Sequence, residues 1–206
     1  DIAERTQGDI YIGVVGPVRT GKSTFIKKFM DLIVLPNIAD EHTRGRAVDE
    51  LPQSGSGKMI MTTQPKFVPN EAVSVELDEN TRFRVRLVDC VGYLIDGAIG
   101  HMEDDTPRMV RTPWSEQEIP FEQAAEIGTQ KVINEHATIG MVVTTDGSIS
   151  SMPRADYVEA EQRVVSELQQ LGKPFIVVLN TSDIYSIETQ KLQLALEEKY
   201  DVPVIP

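Results

Sequence analysis

The sequence Gly-Pro-Val-Arg-Thr-Gly-Lys-Ser, residues 16–23, constrains the fold of this chain more than any other stretch. It fits the phosphate-loop pattern, in which two glycines, a lysine and a hydroxyl residue recur at fixed spacing. Residues 10–15 before it are apolar and largely β-branched, which predicts a buried strand, and residues 24–30 after it are apolar at helical spacing. Strand, glycine loop and helix in that order predict a phosphate-binding site, with a chance glycine turn before a helix as the alternative.

The residue types in this loop suit the phosphates of a nucleotide. Gly16 and Gly21 permit backbone angles and close approaches that larger residues do not, so successive N–H groups can surround a phosphate. The following helix adds unpaired N–H donors and the positive end of its dipole. We expect Lys22 to reach the β- and γ-phosphates and the Ser23 hydroxyl to bind Mg²⁺. The loop residues expected to contact the nucleotide are Gly16, Arg19, Thr20, Gly21, Lys22, Ser23 and Thr24.

Two later stretches supply the other parts of a magnesium-dependent switch. Thr62 and Thr63 follow the first helix, where switch-type hydrolases carry a threonine that closes over the γ-phosphate and Mg²⁺. Two β-branched residues that enter a strand are the alternative. Asp89 ends an apolar strand, as the second magnesium element does, and Gly92 lies where a backbone N–H can contact the γ-phosphate. The predicted metal ligands are Ser23, Thr62, Thr63 and Asp89.

The rest of the chain alternates strands and helices. Residues 72–77 and 83–88 alternate apolar and polar side chains around a turn, which predicts a hairpin. Helices are predicted at residues 39–51, 121–136 and 157–171, and buried strands at 139–147 and 173–180. This pattern predicts an α/β fold of the P-loop NTPase class, with a mainly parallel sheet, helices on both faces and one antiparallel strand. Ligands of such sheets lie at the carboxyl ends of the strands, where Gly16, Asp89 and Asn180 all fall.

Two positions bear on turnover. Tyr93 follows Gly92, where a Ras-like enzyme has the glutamine that orients the attacking water, and no other side chain of that kind is evident. We therefore expect slow hydrolysis, or a catalytic group supplied from elsewhere. Arg19, in the middle of the phosphate loop, is the candidate for a cation supplied in cis, with a solvent-facing arginine as the alternative. The residues assigned to catalysis are Lys22, Thr62, Thr63, Asp89 and Arg19.

The stretch Asn180-Thr181-Ser182-Asp183 carries the residues expected to bind the base. Guanine-binding switch enzymes have Asn-Lys-x-Asp here, in which the aspartate accepts hydrogen bonds from the guanine and the lysine stem covers the base. Asn180 and Asp183 are retained in this chain, whereas Thr181 replaces the lysine. The residues alone therefore leave the base open between guanine and adenine.

Composition limits the remaining possibilities. With 206 residues, 40% hydrophobic and 25% charged, the chain has the make-up of one ordinary domain, which we assign to residues 1–206. A net charge of −12 argues against nucleic-acid binding, and a single cysteine, Cys90, excludes an internal disulfide. No apolar stretch reaches the ~18 residues of a membrane span. Because the chain opens on Asp1 without Met and stops at Pro206 directly after an apparent strand, we expect a fragment of a longer protein that lacks its C-terminal regions.

Beyond these motifs, the sequence closely resembles the stage IV sporulation protein A family of endospore-forming bacteria. The blocks that carry the resemblance are residues 8–16, 19–30, 49–54, 61–70, 89–93, 112–114 and 124–129. Several of these blocks lie outside the nucleotide motifs, and together they extend over essentially the whole chain. The resemblance implies a translation-factor-like GTPase fold that nevertheless hydrolyses ATP. It makes Lys22 the phosphate lysine, Asp89 the acidic magnesium element, and Thr62 and Thr63 the threonines that sense the γ-phosphate.

The resemblance also implies a cellular role. In that family, ATP hydrolysis drives self-assembly into a layer on which the coat proteins of the spore are laid. The layer lies in the mother cell, at the outer forespore membrane, and is held there with the help of a small amphipathic peptide, chiefly through regions C-terminal to the nucleotide domain. We therefore expect a magnesium-dependent ATPase domain of a cytoskeletal protein. A GTPase switch of the ribosome-assembly type and a nucleotide-binding module without turnover are the alternatives.

Overall fold

The computed structural model describes residues 9–52, 64–76, 78, 81–98, 101–103 and 106–206. The strands in chain order are β1 Asp9–Val15, β2 Lys66–Glu76, β3 Arg82–Asp89, β4 Met102–Glu103, β5 Thr106–Pro107, β6 Met109–Thr112, β7 Ser115–Pro120, β8 Ile139–Thr145, β9 Phe175–Asn180 and β10 Val204–Ile205. The α-helices are α1 Lys22–Phe29, α2 Glu41–Asp49, α3 Phe121–Lys131, α4 Arg154–Gln170 and α5 Ile187–Tyr200. A π-helical turn continues α1 over Met30–Val34, and another continues α3 over Val132–His136.

The main sheet has, among the described residues, six strands in the order β10-β9-β8-β1-β3-β2. All neighbours pair in parallel except β2 and β3, which form the antiparallel hairpin. The predicted α/β fold with a mainly parallel sheet and one antiparallel strand is therefore confirmed. Parallel order gathers the carboxyl ends of β1, β3, β8 and β9 along one edge, which is where ligands bind in open α/β sheets.

Helices cover both faces of the sheet, as the sequence predicted. Successive residues of a strand point to opposite faces, so each central strand contributes to two cores. Val14 of β1 packs with Ile26 of α1 on one face, and the next residue, Val15, packs in the core that contains Val164 of α4 on the other. Burial on both faces explains why β1, β8 and β9 are continuously apolar rather than alternating.

Residues 93–120 combine scattered Gly, Pro and charged residues, which predicts a long second switch or an inserted surface element. In the structure, this region between β3 and α3 contains two small sheets. Strand β4 pairs with β5, and β6 pairs with β7, both antiparallel. Predicted helix 39–51 is present as α2, and predicted helix 157–171 begins three residues earlier, at Arg154. Residues 53–58, whose Gly- and Ser-rich sequence predicts a flexible loop, lie outside the described residues, as do the threonines Thr62 and Thr63. Within the described part of the chain, no helix is long and apolar enough to cross a membrane.

Candidate nucleotide-binding site

The phosphate loop joins β1 to α1 with backbone angles that favour glycine. Gly16 has φ 135°, and a Cβ there would lie 2.2 Å from the carbonyl oxygen of Val143. Gly21 has φ 91°, and its Cβ would lie 2.5 Å from Asn180 Nδ2. Arg19 also has a positive φ, 61°, which is uncommon for a residue with a side chain. Loop and strand ends are therefore packed too closely for side chains at either glycine.

Lys22 occupies the centre of the loop. Its side chain is buried, and Nζ donates to the carbonyl oxygen of Pro17 at 2.6 Å. Burial lowers the pKa of Lys22, while the nearby Cys90 and Asp89 act in the opposite direction. A buried ammonium beside several loop N–H groups is suited to bind an anion, because a phosphate would compensate the desolvated charge.

Ser23 and Asp89 form the candidate metal position. The Ser23 hydroxyl donates to Asp89 Oδ2 at 2.7 Å, which joins the first turn of α1 to the end of β3. The second carboxylate oxygen, Oδ1, is buried and has no hydrogen-bond partner in the structure. Burial raises the pKa of Asp89, whereas the bond from Ser23 and the charge of Lys22 lower it. A buried carboxylate oxygen without a partner, beside a hydroxyl, fits the oxygen ligands that Mg²⁺ prefers.

This site does not depend on a cluster of protein ligands. Among the described residues, no group of three or more His, Cys, Asp or Glu side chains is arranged to hold a metal ion. Mg²⁺ in nucleotide sites usually takes one or two protein ligands together with water and phosphate oxygens. The pair Ser23 and Asp89 therefore fits magnesium bound with a nucleotide, and fits poorly a metal bound by protein alone.

Gly92 and Tyr93 connect the end of β3 to the loop and to two helices. The Gly92 N–H, expected to contact the γ-phosphate, here donates to Thr129 Oγ1 of α3 at 3.2 Å. The carbonyl oxygen of Tyr93 accepts from the N–H of Val18 at 2.9 Å, and its hydroxyl donates to Glu167 of α4 at 2.5 Å. The Tyr93 side chain is thus buried against α4 rather than directed at the phosphate loop.

The predicted base-binding residues have different surroundings. Asn180 ends β9, and its Nδ2 donates to the carbonyl oxygen of Thr20 in the phosphate loop at 3.0 Å. Asp183 is exposed, and its Oδ1 accepts from the N–H of Tyr185 at 2.9 Å. The Thr181 hydroxyl donates to Asp146 Oδ2 at 2.6 Å, in the loop after β8. Asn180 therefore supports the loop directly, whereas Thr181 and Asp183 shape the segment that follows.

A cavity of about 250 Å³ adjoins these residues. It lies between α1 and the ends of β8 and β9, next to the phosphate loop. Its walls are mainly apolar, and the polar lining residues are Thr24 and Lys28 of α1 with Asn180 and Thr181. The lining residues are Gly21, Thr24, Phe25, Lys28, Val143, Val178, Leu179, Asn180, Thr181, Ile184 and Pro206. A cavity with this composition beside a phosphate site is suited to the flat apolar faces of a base.

The structure brings most predicted site residues together. Residues 16–24, Asp89, Gly92 and Asn180 surround one edge of the sheet, with Asp183 in the adjoining loop. Sequence reasoning missed Thr129 and Asp146, which hold Gly92 and Thr181. Thr129 is fully buried in α3 and belongs to no motif, so only the three-dimensional contact reveals it. Asp146 lies in the turn that ends the predicted strand 139–147, and that position was the one available signal.

Residues 1–206 match the family described as stage IV sporulation protein A, ATPase domain. The chain belongs to this family. It is 63% identical over 205 residues to stage IV sporulation protein A of Bacillus anthracis and 62% identical over 205 residues to that of Bacillus subtilis (strain 168). It is 59% identical over 206 residues to the protein of the same name from Clostridioides difficile (strain 630). Each comparison covers 100% of this chain and 42% of the relative.

The family membership confirms the resemblance seen in the sequence. This chain is the ATPase domain of a sporulation protein, and ATP is the nucleotide that the family description implies. An apolar cavity beside Thr181, where guanine-binding enzymes have lysine, agrees with that description. The chain spans less than half the length of the relatives that it matches.

Proposed function

We propose that this domain hydrolyses ATP to ADP and phosphate in the presence of Mg²⁺. The observation that carries the proposal is the contact between the Ser23 hydroxyl and Asp89 at 2.7 Å, beside the buried Lys22. Lys22 and the loop N–H groups bind the β- and γ-phosphates and stabilise the charge that develops as water attacks the γ-phosphorus. Ser23 and Asp89 would hold Mg²⁺, together with Thr62 or Thr63. When bound, Mg²⁺ would neutralise part of the negative charge on the phosphates.

Slow turnover is part of this proposal. Tyr93 occupies the position of the water-orienting glutamine, and its hydroxyl is engaged by Glu167 on α4. Its side chain is therefore not available to orient a water at the γ-phosphate. Without a water-orienting residue, the site still binds the phosphates, but the attacking water is not held in position for hydrolysis.

Arg19 is proposed as the cation supplied in cis. Its left-handed backbone in the middle of the phosphate loop is a conformation that a folded protein retains more often at functional sites. We expect Arg19→Ala to lower phosphate release at least tenfold while ATP affinity changes less than threefold, because the charge is needed most in the transition state. Arg19→Gly relieves the backbone and removes the charge, so an equal loss in both variants assigns the effect to the guanidinium. Unchanged turnover in Arg19→Ala would overturn the assignment.

A fold of the translation-factor GTPase type is also proposed. Its support is the antiparallel β2 beside β3, together with the retained Asn180 and Asp183. The retained pair favours a second candidate, a GTPase switch of the ribosome-assembly type. A third candidate is a nucleotide-binding module without turnover. It is favoured because the Tyr93 hydroxyl is hydrogen-bonded to Glu167 and so does not orient a water molecule.

One experiment separates the three candidates. Equilibrium binding and phosphate release are measured with ATP and GTP side by side, with Mg²⁺. We expect tighter binding of ATP and measurable release of phosphate from it. Preference for GTP would support the GTPase switch, and tight ATP binding without phosphate release would support the module without turnover. Lys22→Ala serves as the control for release that does not come from this site.

We also propose, from the resemblance seen in the sequence, that hydrolysis drives self-assembly of the whole protein into a spore-coat scaffold. Self-association, contact with coat proteins and with a small amphipathic peptide, and a position in the mother cell at the outer forespore membrane belong to this proposal. No role in nucleic-acid binding is proposed. Sedimentation of the full-length protein with ATP and with a non-hydrolysable analogue tests it: assembly with ATP alone is expected, and equal pelleting with both would contradict it.

A further inference from the structure

Asp146 joins the two loops that follow β8 and β9. Its Oδ2 accepts the Thr181 hydroxyl at 2.6 Å and lies 3.5 Å from the hydroxyl of Thr189 in α5. Its Oδ1 accepts both the N–H and the hydroxyl of Ser148, at 2.9 and 2.6 Å. Both carboxylate oxygens are thus hydrogen-bonded. Although burial alone would raise the pKa of Asp146, the hydrogen bonds from Ser148 and Thr181 lower it, so the group is an anion at neutral pH.

Thr181 transmits this arrangement to the segment expected to contact the base. Its Oγ1 accepts from the N–H of Asp183 at 3.3 Å and lies 3.1 Å from Thr189 Oγ1. The carboxylate of Asp183 in turn accepts from the N–H of Tyr185 at 2.9 Å. The Thr181 hydroxyl, which Asp146 fixes, is therefore one of the contacts that set the conformation of residues 181–185, together with the bond from the Ser182 N–H to Ser148 Oγ at 2.9 Å.

The same contact explains what replaces the lysine of guanine-binding enzymes. The Thr181 hydroxyl is fully engaged by neighbouring groups, so it is not available to a base. No long cationic stem extends from this position over the 250 Å³ cavity. Guanine has one more exocyclic polar group than adenine, the O6 carbonyl, and also a ring N1–H that adenine lacks, so a mainly apolar cavity leaves more of its polar groups unpaired. Adenine therefore loses fewer hydrogen bonds than guanine when it enters the cavity.

We propose that Asp146 is a positioning residue for nucleobase selection, acting through Thr181 on the segment 181–185. The inference rests on the proposed nucleotide site and adds to it the origin of base discrimination. Asp146 touches neither the phosphate loop nor the metal pair in this structure. Its side chain contacts Ser148, Thr181 and Thr189, whereas Asn180, which bonds the phosphate loop, is reached from Asp146 only through the backbone. Substitution of the side chain is therefore expected to change binding of the base far more than binding of phosphates alone.

The test compares Asp146→Asn and Thr181→Val with the native chain. Dissociation constants are measured for Mg²⁺ complexes of ATP, GTP and inorganic tripolyphosphate, which has no base. Loss of a charge-assisted hydrogen bond of this kind changes affinity by roughly tenfold. We expect each variant to reduce the preference for ATP over GTP by about that factor, while tripolyphosphate affinity changes less than twofold. Thr181→Ser keeps the hydroxyl and is expected to behave as native, and Asp49→Asn, exposed at the end of α2, is the matched control.

The double variant Asp146→Asn, Thr181→Val decides whether the two residues act through one bond. If they do, its loss of preference equals that of either single variant, whereas independent effects add. Additive effects, an unchanged ATP:GTP ratio, or a parallel fall in tripolyphosphate affinity would overturn the inference. Thr181→Val is nearly isosteric, so it supplies the answer if Asp146→Asn fails to fold. A native chain that binds neither nucleotide would instead remove the proposed function itself, so the two failures are distinguishable.

Discussion

Steric fit at single residues decides the shape of the phosphate site. Gly92 has φ 94°, and a Cβ there would lie 2.2 Å from the carbonyl oxygen of Gly16 and 2.7 Å from Lys22 Nζ. Contacts this short do not occur between real atoms, so any side chain at position 92 must displace the loop or the lysine. The glycine is needed for space as much as for its backbone angle.

We therefore expect Gly92→Ala to disturb the site it packs against. A left-handed backbone costs roughly 1–2 kcal/mol for a residue with a Cβ, and displacement of Lys22 is expected to weaken ATP binding at least tenfold. Thermal unfolding and ATP titration measure the two effects. Gly45→Ala is the control: Gly45 lies within α2, a Cβ there meets nothing within 4 Å, and alanine is expected to stabilise the helix by about 1 kcal/mol. Native affinity in Gly92→Ala would contradict this account.

Sequence patterns predicted which residues form the site, but they did not predict all the contacts that these residues make. The order of glycine, lysine and hydroxyl in residues 16–23 fixes which atoms meet a phosphate, because the loop is local in sequence. Asp89 was predictable because it ends an apolar strand. The partner of Gly92 was not, since Thr129 lies 37 residues further along the chain and is reached only through the packing of α3.

At the level of elements, the segment after β3 is held by two helices. Gly92 donates to Thr129 of α3, and the Thr129 hydroxyl donates in turn to the carbonyl oxygen of Ala125 at 2.8 Å. Tyr93 is held by Glu167 of α4, and Arg163 of α4 lies with its guanidinium carbon 4.1 Å from the centre of the Tyr93 ring. Any movement of this segment toward a γ-phosphate must therefore exchange contacts with α3 and α4.

We expect Thr129→Val to strengthen discrimination of ATP from ADP. The substitution leaves the buried Gly92 N–H without its partner in the nucleotide-free state, which costs about 1–3 kcal/mol. A γ-phosphate that accepts this N–H restores the lost bond, so the ATP:ADP affinity ratio is expected to rise about fivefold or more. Thr129→Ser retains the hydroxyl and serves as the control. A ratio that stays constant in Thr129→Val would mean that the Gly92 N–H does not reach the γ-phosphate.

Strands and helices were predicted correctly from the sequence where a single hydrophobic periodicity dominates. Strands β1, β8 and β9 were predictable because burial on both faces makes them continuously apolar. Helix α5 gave no such signal: Leu192, Leu194 and Leu196 alternate like a strand, and only Leu196 is fully buried while Leu194 is 65% exposed. The small sheets within residues 102–120 were also missed, since strands of two to six residues are too short for a recognisable pattern.

Across the whole molecule, a buried ion pair connects the sheet to two helices. Glu161 of α4 is fully buried and bonds Arg154 Nη1 at 2.6 Å, the Thr144 hydroxyl at 2.5 Å and the Tyr200 hydroxyl at 2.6 Å. These partners lie on α4, β8 and α5. Buried charges are tolerated when they are paired and hydrogen-bonded in this way, and removal of one partner leaves the other uncompensated.

We expect Glu161→Gln to destabilise the domain by about 3–5 kcal/mol, because Arg154 loses its counter-charge inside the protein. Chemical denaturation measures the free energy of unfolding. The matched control is Glu118→Gln, which breaks the exposed pair with Arg111 on the β6–β7 hairpin. An exposed pair of this kind contributes less than about 1 kcal/mol. Equal effects of the two substitutions would show that burial does not determine the strength of the Glu161 network.

Nucleotide binding is expected to stabilise the whole domain, because ligand that binds only the folded chain raises its unfolding free energy by mass action. At a concentration of Mg²⁺-ATP 100 times the dissociation constant the gain is about 2.7 kcal/mol, which raises the melting temperature by roughly 5–10 °C for a chain of this size. The rise is measured by thermal unfolding with Mg²⁺-ATP and with ATP plus EDTA.

Removal of the metal is expected to abolish most of this rise, since Asp89 and the phosphates then repel each other without a cation between them. Ser23→Ala removes the hydroxyl that binds Asp89 and is expected to reduce the Mg²⁺-dependent part of the rise, whereas Ser74→Ala, exposed on β2, leaves it unchanged. A rise that survives both EDTA and Ser23→Ala in full would contradict the assignment of Ser23 and Asp89 as the metal position, because ATP would then be held by Lys22 and the loop N–H groups alone.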